Sequence, residues 1–164
     1  MVNDGLRVQW RENGLAKRWN GPVADFFKSV PANAEKLSVN EVASRVETFV
    51  TMGAPTPLKL SGEGLEVRYD THPNDLVTSA PATLTFFQGG QPAPKLKVSI
   101  IPGGARYRDS TKQIDLITDE QGQVQIHWPA AGLYWVNAVT RAAATVPQAK
   151  HKTLSYAVTL EVLP

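Results

Sequence analysis

Imidazole and carboxylate are the side chains best suited to holding a divalent ion, and in this chain they meet in one short run. Tyr69-Asp70-Thr71-His72-Pro73-Asn74-Asp75-Leu76 brings Asp70, His72 and Asp75 within six residues of each other. One neutral imidazole with two carboxylates is a donor set for a first-row divalent metal. The affinity expected of one nitrogen ligand is low, and it falls as the imidazole protonates. The same residues also spell a turn, because Pro-Asn-Asp fixes φ and lets short side chains bond their own backbone. His127 alternates outward between Ile126 and Trp128, and His151 stands in the polar run 148–152, so both read as surface residues.

A second cluster is Ile101-Pro102-Gly103-Gly104-Ala105-Arg106-Tyr107-Arg108-Asp109. Arg106 and Arg108 beside a glycine turn suit an anion or a partner's carboxylate. The alternative is a surface loop whose arginines pair with Asp109 or Asp115. The glycines do not join a strand to a helix, which excludes a nucleotide loop. Trp135 is opposite in phase to Tyr134 and Val136 and belongs on an outer sheet face, either as a contact patch for a partner or under the N-terminal segment. No serine lies in a G-x-S-x-G elbow, no histidine has a triad context, and the chain has no cysteine, so a non-enzyme is expected.

The elements that must position these residues read as strands. The 164 residues are 42% hydrophobic and 20% charged, which predicts a packed core rather than disorder. The net charge of +2 comes from scattered bases, without the basic stripe that nucleic-acid binding requires. No run approaches the roughly 18 apolar residues that span a bilayer. Leu6, Val8 and Trp10 alternate with polar residues before Asn13-Gly14, the dipeptide of a tight hairpin turn, and Leu15 to Trp19 reads as the return strand. Pro22 is placed to open a short helical turn over 23–27. Ser38-Val39-Asn40-Glu41 has the form of a capping box, yet 46–51 is β-branched and aromatic, so a strand over 45–51 is expected. Gly53-Ala54-Pro55-Thr56-Pro57 reads as a linker, dividing a β-rich segment (1–55) from a main domain (60–164).

Beyond the linker seven period-2 segments follow: 65–69, 84–86, 96–100, 114–116, 124–128, 134–138 and 156–162. Seven short strands in about a hundred residues point to an all-β antiparallel sandwich, immunoglobulin-like or transthyretin-like. Asp119 to Gly122 is expected to close a hairpin between 113–118 and 123–128. Pro129 and Gly132 then turn the chain, and Tyr134 makes a tyrosine corner. Residues 1–55 hold too few strands to enclose a core and are expected to dock on the sandwich or pair with another copy, through edges such as Leu6 to Arg11.

The pattern T-D-x-x-G-x-x-x-x-x-W-P-x-x-G-x-Y-W over Thr118 to Trp135 is similar to the signature of transthyretin-like β-sandwich modules. Together with "SRVETFVTMGAPT", "GLEVRYDTHPNDL", "IPGGARYRD" and "SYAVTLEVLP" it resembles a bacterial exported family of unknown function, the one numbered 4198. That resemblance implies a periplasmic, non-enzymatic accessory or binding protein linked to nickel or cobalt uptake. The alternative is a structural protein–protein interaction module without a ligand of its own. The resemblance also implies an export signal and a histidine-bearing segment ahead of Met1, which makes this chain the C-terminal part of a longer protein. The transthyretin-like fold also includes a purine-pathway hydrolase. Its Tyr-Arg-Gly-Ser tail differs from Glu161-Val162-Leu163-Pro164 here.

Overall fold

A computed structural model describes residues 2–164. Strands dominate: β1 (Val2–Glu12), β2 (Leu15–Gly21), β3 (Glu35–Glu47), β4 (Leu65–Tyr69), β5 (Ala82–Gln88), β6 (Gln91–Pro92), β7 (Lys97–Pro102), β8 (Ile114–Ile117), β9 (Gln123–Ile126), β10 (Gly132–Ala142) and β11 (Lys152–Val162). One four-residue helix, α1 (Phe26–Ser29), follows a 3-10 turn over Val23–Asp25. The chain is all-β, and it divides into two compact units, Met1–Ser44 with Thr140–Ser155 and Arg45–Val139 with Tyr156–Pro164. The expected linker, residues 53–57, lies inside the second unit.

In the first unit the strands run β2-β1-β3-β11-β10. Asn13 and Gly14 take φ of 50° and 78°, the paired positive values of a two-residue hairpin turn whose twist matches its strands. The resulting register sets Val8 opposite Trp19 and Trp10 opposite Lys17. Leu6, Val8 and Trp10 bury with Phe26, Val30 and Val39 to form this unit's core. β1 lies between β2 and β3, so Leu6 to Arg11 is paired on both sides and is not the open edge expected from sequence. β3 begins ten residues ahead of the expected 45–51. Val39, Glu41 and Ala43 are buried at alternate positions, a period-2 pattern that two ladder partners enforce over the weak local signal of Ser38-x-x-Glu41.

The second unit is a sandwich of two sheets, β3-β11-β10-β7-β8 and β4-β5-β6, with β9 also paired to β5. All seven expected strands are present, with the two-residue β6 added. Phe86 from one sheet meets Tyr156 from the other edge-to-face at 6.2 Å, and Leu84, Val98, Ile100, Val136 and Leu160 fill the space around them. Each such side chain contributes roughly 1.5–3 kcal/mol by leaving water.

The turn at Asp119–Gly122 differs from expectation. β8 pairs with β7, and β9 pairs with β5 in the opposite sheet, so the turn carries the chain across the sandwich instead of closing a hairpin. Two features make the crossing. Thr118 is buried, with its Oγ1 donating to the Ala93 carbonyl (2.6 Å) and accepting from Leu96 N–H (2.8 Å), which holds the end of β8 to the β6–β7 connection. Gly122 (φ 76°) then passes so close to β5 that a Cβ there would lie 2.5 Å from the Phe86 carbonyl oxygen. Tyr134 forms the expected corner, donating to the Ala130 carbonyl (2.7 Å) and packing on Trp128 at 4.9 Å.

Candidate functional site

The segment from Asp70 to Asp75 folds as a cap. Residues Pro73–Asp75 form one 3-10 turn, and His72 Nδ1 accepts the Asn74 N–H at 3.2 Å as its N-cap. That bond uses the one lone pair of a neutral imidazole, so the proton sits on Nε2 and the ring offers a donor there, not a metal-binding nitrogen. Asn74 Nδ2 donates to Thr51 Oγ1 (2.7 Å), and Phe49 packs edge-on against both His72 (6.3 Å) and Tyr69 (5.5 Å). Among the described residues no three His, Asp or Glu side chains gather in a way that could hold a metal ion. The donor set therefore does not fit nickel or cobalt. Asp70, His72 and Asp75 are close in sequence, but the turn spends the imidazole on its own backbone.

The arginines of the β7–β8 connection separate. Arg108 turns into its own loop, donating from Nη2 to the Pro102 carbonyl (2.8 Å) and the Thr111 carbonyl (3.3 Å), while its Nε is buried without a partner. Arg106 stays exposed beside Tyr107, and neither arginine pairs with Asp109 or Asp115. Asp115 instead takes Lys97 (2.9 Å), Ser99 Oγ–H (2.7 Å) and Gln113 Nε2–H (2.7 Å), and this set holds its carboxyl down at about 2. His127 is exposed as expected, and His151 is half-buried, its carbonyl accepting the Glu41 N–H.

Trp135 stands outward on β10 and is 41% exposed, opposite Ile101 of β7 and two residues from the exposed Leu133. One row further along, Asn137 faces Ser99 and Ser99 faces Asp115. Beyond that row Ile117 of β8, 70% exposed, lies opposite Lys97. The outer face of this sheet thus runs from an apolar pair through a polar row to the mixed pair of Lys97 and Ile117, and it ends at β8, beside which no strand of the described residues lies.

Two polar networks were not anticipated. In the second unit the buried Glu66 carboxylate accepts Ser61 N–H (2.8 Å), Ser61 Oγ–H (2.8 Å) and Gly62 N–H (2.7 Å), with Arg45 Nη2 at 3.0 Å. Burial pushes its carboxyl up, but these donors outweigh the burial and the net shift is downward. Arg45 continues to Glu47 (3.4 Å), and Glu47 Oε2 accepts the Tyr156 hydroxyl at 2.5 Å. Since Tyr156 spends its only proton there, Tyr69 is the donor in the 2.7 Å contact between the two hydroxyls. Burial, then the Glu47 charge, raises Tyr69, although its bond to Tyr156 works the other way. Burial, Tyr69 and Glu47 all raise Tyr156, so both phenols stay protonated and serve as donors, never as bases. The network fastens the connection between β3 and β4 to the sheet at Ser61 and Gly62. One sequence signal was available: Arg45 and Glu47 share a face of one strand, and Glu66 follows a Ser-Gly-x-Gly turn.

The first unit repeats the device with Glu41. Burial raises its carboxyl, but Thr145 Oγ1–H and N–H (both 2.6 Å) and Lys152 Nζ (3.0 Å) bring the net shift below the ordinary value. In sequence Glu41 carried only the capping-box pattern with Ser38, and its partner Thr145 is 104 residues away.

A cleft of about 340 Å³ in the second unit opens on the same outer face beside β11 and the Pro73–Asp75 turn. Its walls include Phe49, Leu133 and Leu163, and Glu161 is its one charged residue.

The sequence signature of a family described as Domain of unknown function (DUF4198) matches residues 4–142, so the closing strand β11 lies beyond the matched part. No curated protein and no solved structure matches the chain. With the match running over most of its length, the chain belongs to the DUF4198 family.

Proposed function

We propose that this chain is a non-enzymatic binding protein that works by presenting the outer face of β10, β7 and β8 to a protein partner. The observation that carries the reading is the patch of exposed Trp135 and Leu133 beside half-buried Ile101, on a sheet that ends in the open edge of β8. An aromatic anchor among aliphatic neighbours beside a polar row is the composition of a partner-binding patch. The polar groups most capable of chemistry are otherwise employed. Glu66 and Glu41 hold connections, His72 caps a turn, and Tyr69 and Tyr156 are locked as donors. In this reading the family resemblance supplies the setting, a periplasmic accessory of nickel or cobalt uptake, and the contribution of this chain is contact with protein rather than ligation of the ion.

The test is photo-crosslinking in the native host, with a photoreactive residue at position 135 and, as reference, at the exposed His127. A discrete crosslinked partner from position 135 alone, lost on Ile101→Asp, is the expected result. No adduct from 135, or the same adducts from 127, would overturn the proposal.

A further inference from the structure

The cleft beside β11 carries a separate reading. Thr159 and Glu161 of β11 and Leu133 of β10 occupy exposed outward positions, exposed Thr48 follows the end of β3, and Phe49 and Leu163 close the sides. At about 340 Å³ the cleft falls within the roughly 300–1,000 Å³ usual for small-ligand sites. Among the described residues Glu161 has no Lys, Arg or His within ion-pair distance, and the Thr48 and Thr159 hydroxyls make no side-chain hydrogen bond. The buried Glu41 and Glu66 and the half-exposed Asp115, by contrast, each hold a cation. A cleft whose one charge is an unpaired carboxylate repels anions. A neutral ligand that covers the carboxylate takes water away and returns nothing. A cation satisfies it, and the aromatic and aliphatic walls take up an apolar body attached to that cation.

We infer that this cleft is a binding site for a small organic cation, an ammonium group carrying an aromatic or aliphatic body. Glu161 is the counter-charge, the two threonine hydroxyls accept the remaining N–H groups, and Phe49, Leu133 and Leu163 surround the apolar part. The site does not depend on the Trp135 patch binding a protein.

Titration calorimetry of the full chain with phenethylamine, and with 2-phenylethanol as its uncharged counterpart, tests the assignment. Amide chemical shifts locate the ligand. Phenethylamine is expected to bind, to shift the amides of Thr48, Thr159 and Leu133, and to outcompete the alcohol. Glu161→Gln should weaken it about tenfold, the loss expected of one charge-assisted hydrogen bond. Glu161→Lys, which supplies a cation from the chain itself, should abolish it. Glu120→Gln, the same charge change on an exposed residue at the 119–122 turn, should bind as the unaltered protein does. No binding of phenethylamine, equal binding of the alcohol, or undiminished binding by Glu161→Gln would overturn the proposal. Circular dichroism spectra of each variant separate loss of the site from loss of the fold.

Discussion

Replacing Glu66 by glutamine keeps the side chain's shape and changes its hydrogen-bonding pattern. In the better amide orientation the oxygen still faces Ser61 N–H and Oγ–H, and the new NH2 group is set against Gly62 N–H, now 2.7 Å from a carboxylate oxygen. One charge-assisted bond is lost and a donor in a part-buried site is left unmet, together about 1.5–3 kcal/mol. Arg45 Nη2 still faces the oxygen that replaces Oε1 at 3.0 Å but loses the charge there, while it keeps Glu47 at 3.4 Å, and its side chain is 18% exposed. That loss adds on the order of 1 kcal/mol. The sum of about 3 kcal/mol lowers Tm by about 6–12 °C for a chain of this size. The effect depends on pH with a definite sign. The folded-state pKa of Glu66 lies below its ordinary 4.5, so its stabilisation is fully present above 4.5 and is lost as pH falls through the folded value. Glutamine does not titrate, so the difference between the two proteins narrows on acidification. Urea unfolding followed by tryptophan fluorescence at pH 7 and at pH values below 4.5 gives both quantities, and hydrogen exchange at Ser61 and Gly62 reports the local loosening. A difference under about 1 kcal/mol at pH 7, or one that widens with acid, would refute the reasoning.

Tyr156→Phe leaves Glu47 and the Tyr69 hydroxyl without their shared partner and should cost about 1–3 kcal/mol by thermal unfolding, with Tyr69→Phe costing less because it deletes only a donor. Gly122→Ala meets both a positive φ and the Phe86 carbonyl and should destabilise by about 3 kcal/mol or more; unchanged stability would contradict the crossing described for this turn. Nickel and cobalt titrations of the unaltered chain and His72→Ala should coincide, whereas tighter binding by the unaltered chain would restore His72 as a ligand. An NMR titration of Asp115 should show a midpoint at about 2, moving upward in Lys97→Met and in high salt.

The fold was readable wherever the signal was local. Asn13-Gly14 fixed a hairpin, alternation at 65–69, 96–100 and 134–138 marked strands with one buried face, and the Trp128-Pro129 corner placed Tyr134. Pairing was less legible. Asp119 to Gly122 has hairpin chemistry on both sides, and the choice of partner sheet depends on Thr118 reaching Ala93 and on Gly122 passing Phe86. The candidate site shows the same division. His72 stood out because donors clustered in sequence, yet in a turn of that length the nearest donor is the backbone itself. Glu41, Glu47 and Glu66 went unnoticed because their partners Thr145, Tyr156 and Arg45 are brought to them only by the fold.

The chain that leaves β8 at Thr118 and enters β9 at Gln123 has a folding consequence. Locally, Asp119 Oδ1 accepts Gln121 N–H (2.9 Å) and Gln123 N–H (2.8 Å), and Gly122 N–H bonds the Asp119 carbonyl at 3.0 Å, a tight turn held by hydrogen bonds within residues 119–123. Its flanking strands would zip together first if proximity alone decided, and closing so short a loop takes well under a microsecond. The native state sends them to β7 and β5 in opposite sheets, so the fastest local pairing is a wrong one. Thr118 and Gly122 are therefore the residues that set native pairing against a misregistered hairpin during refolding.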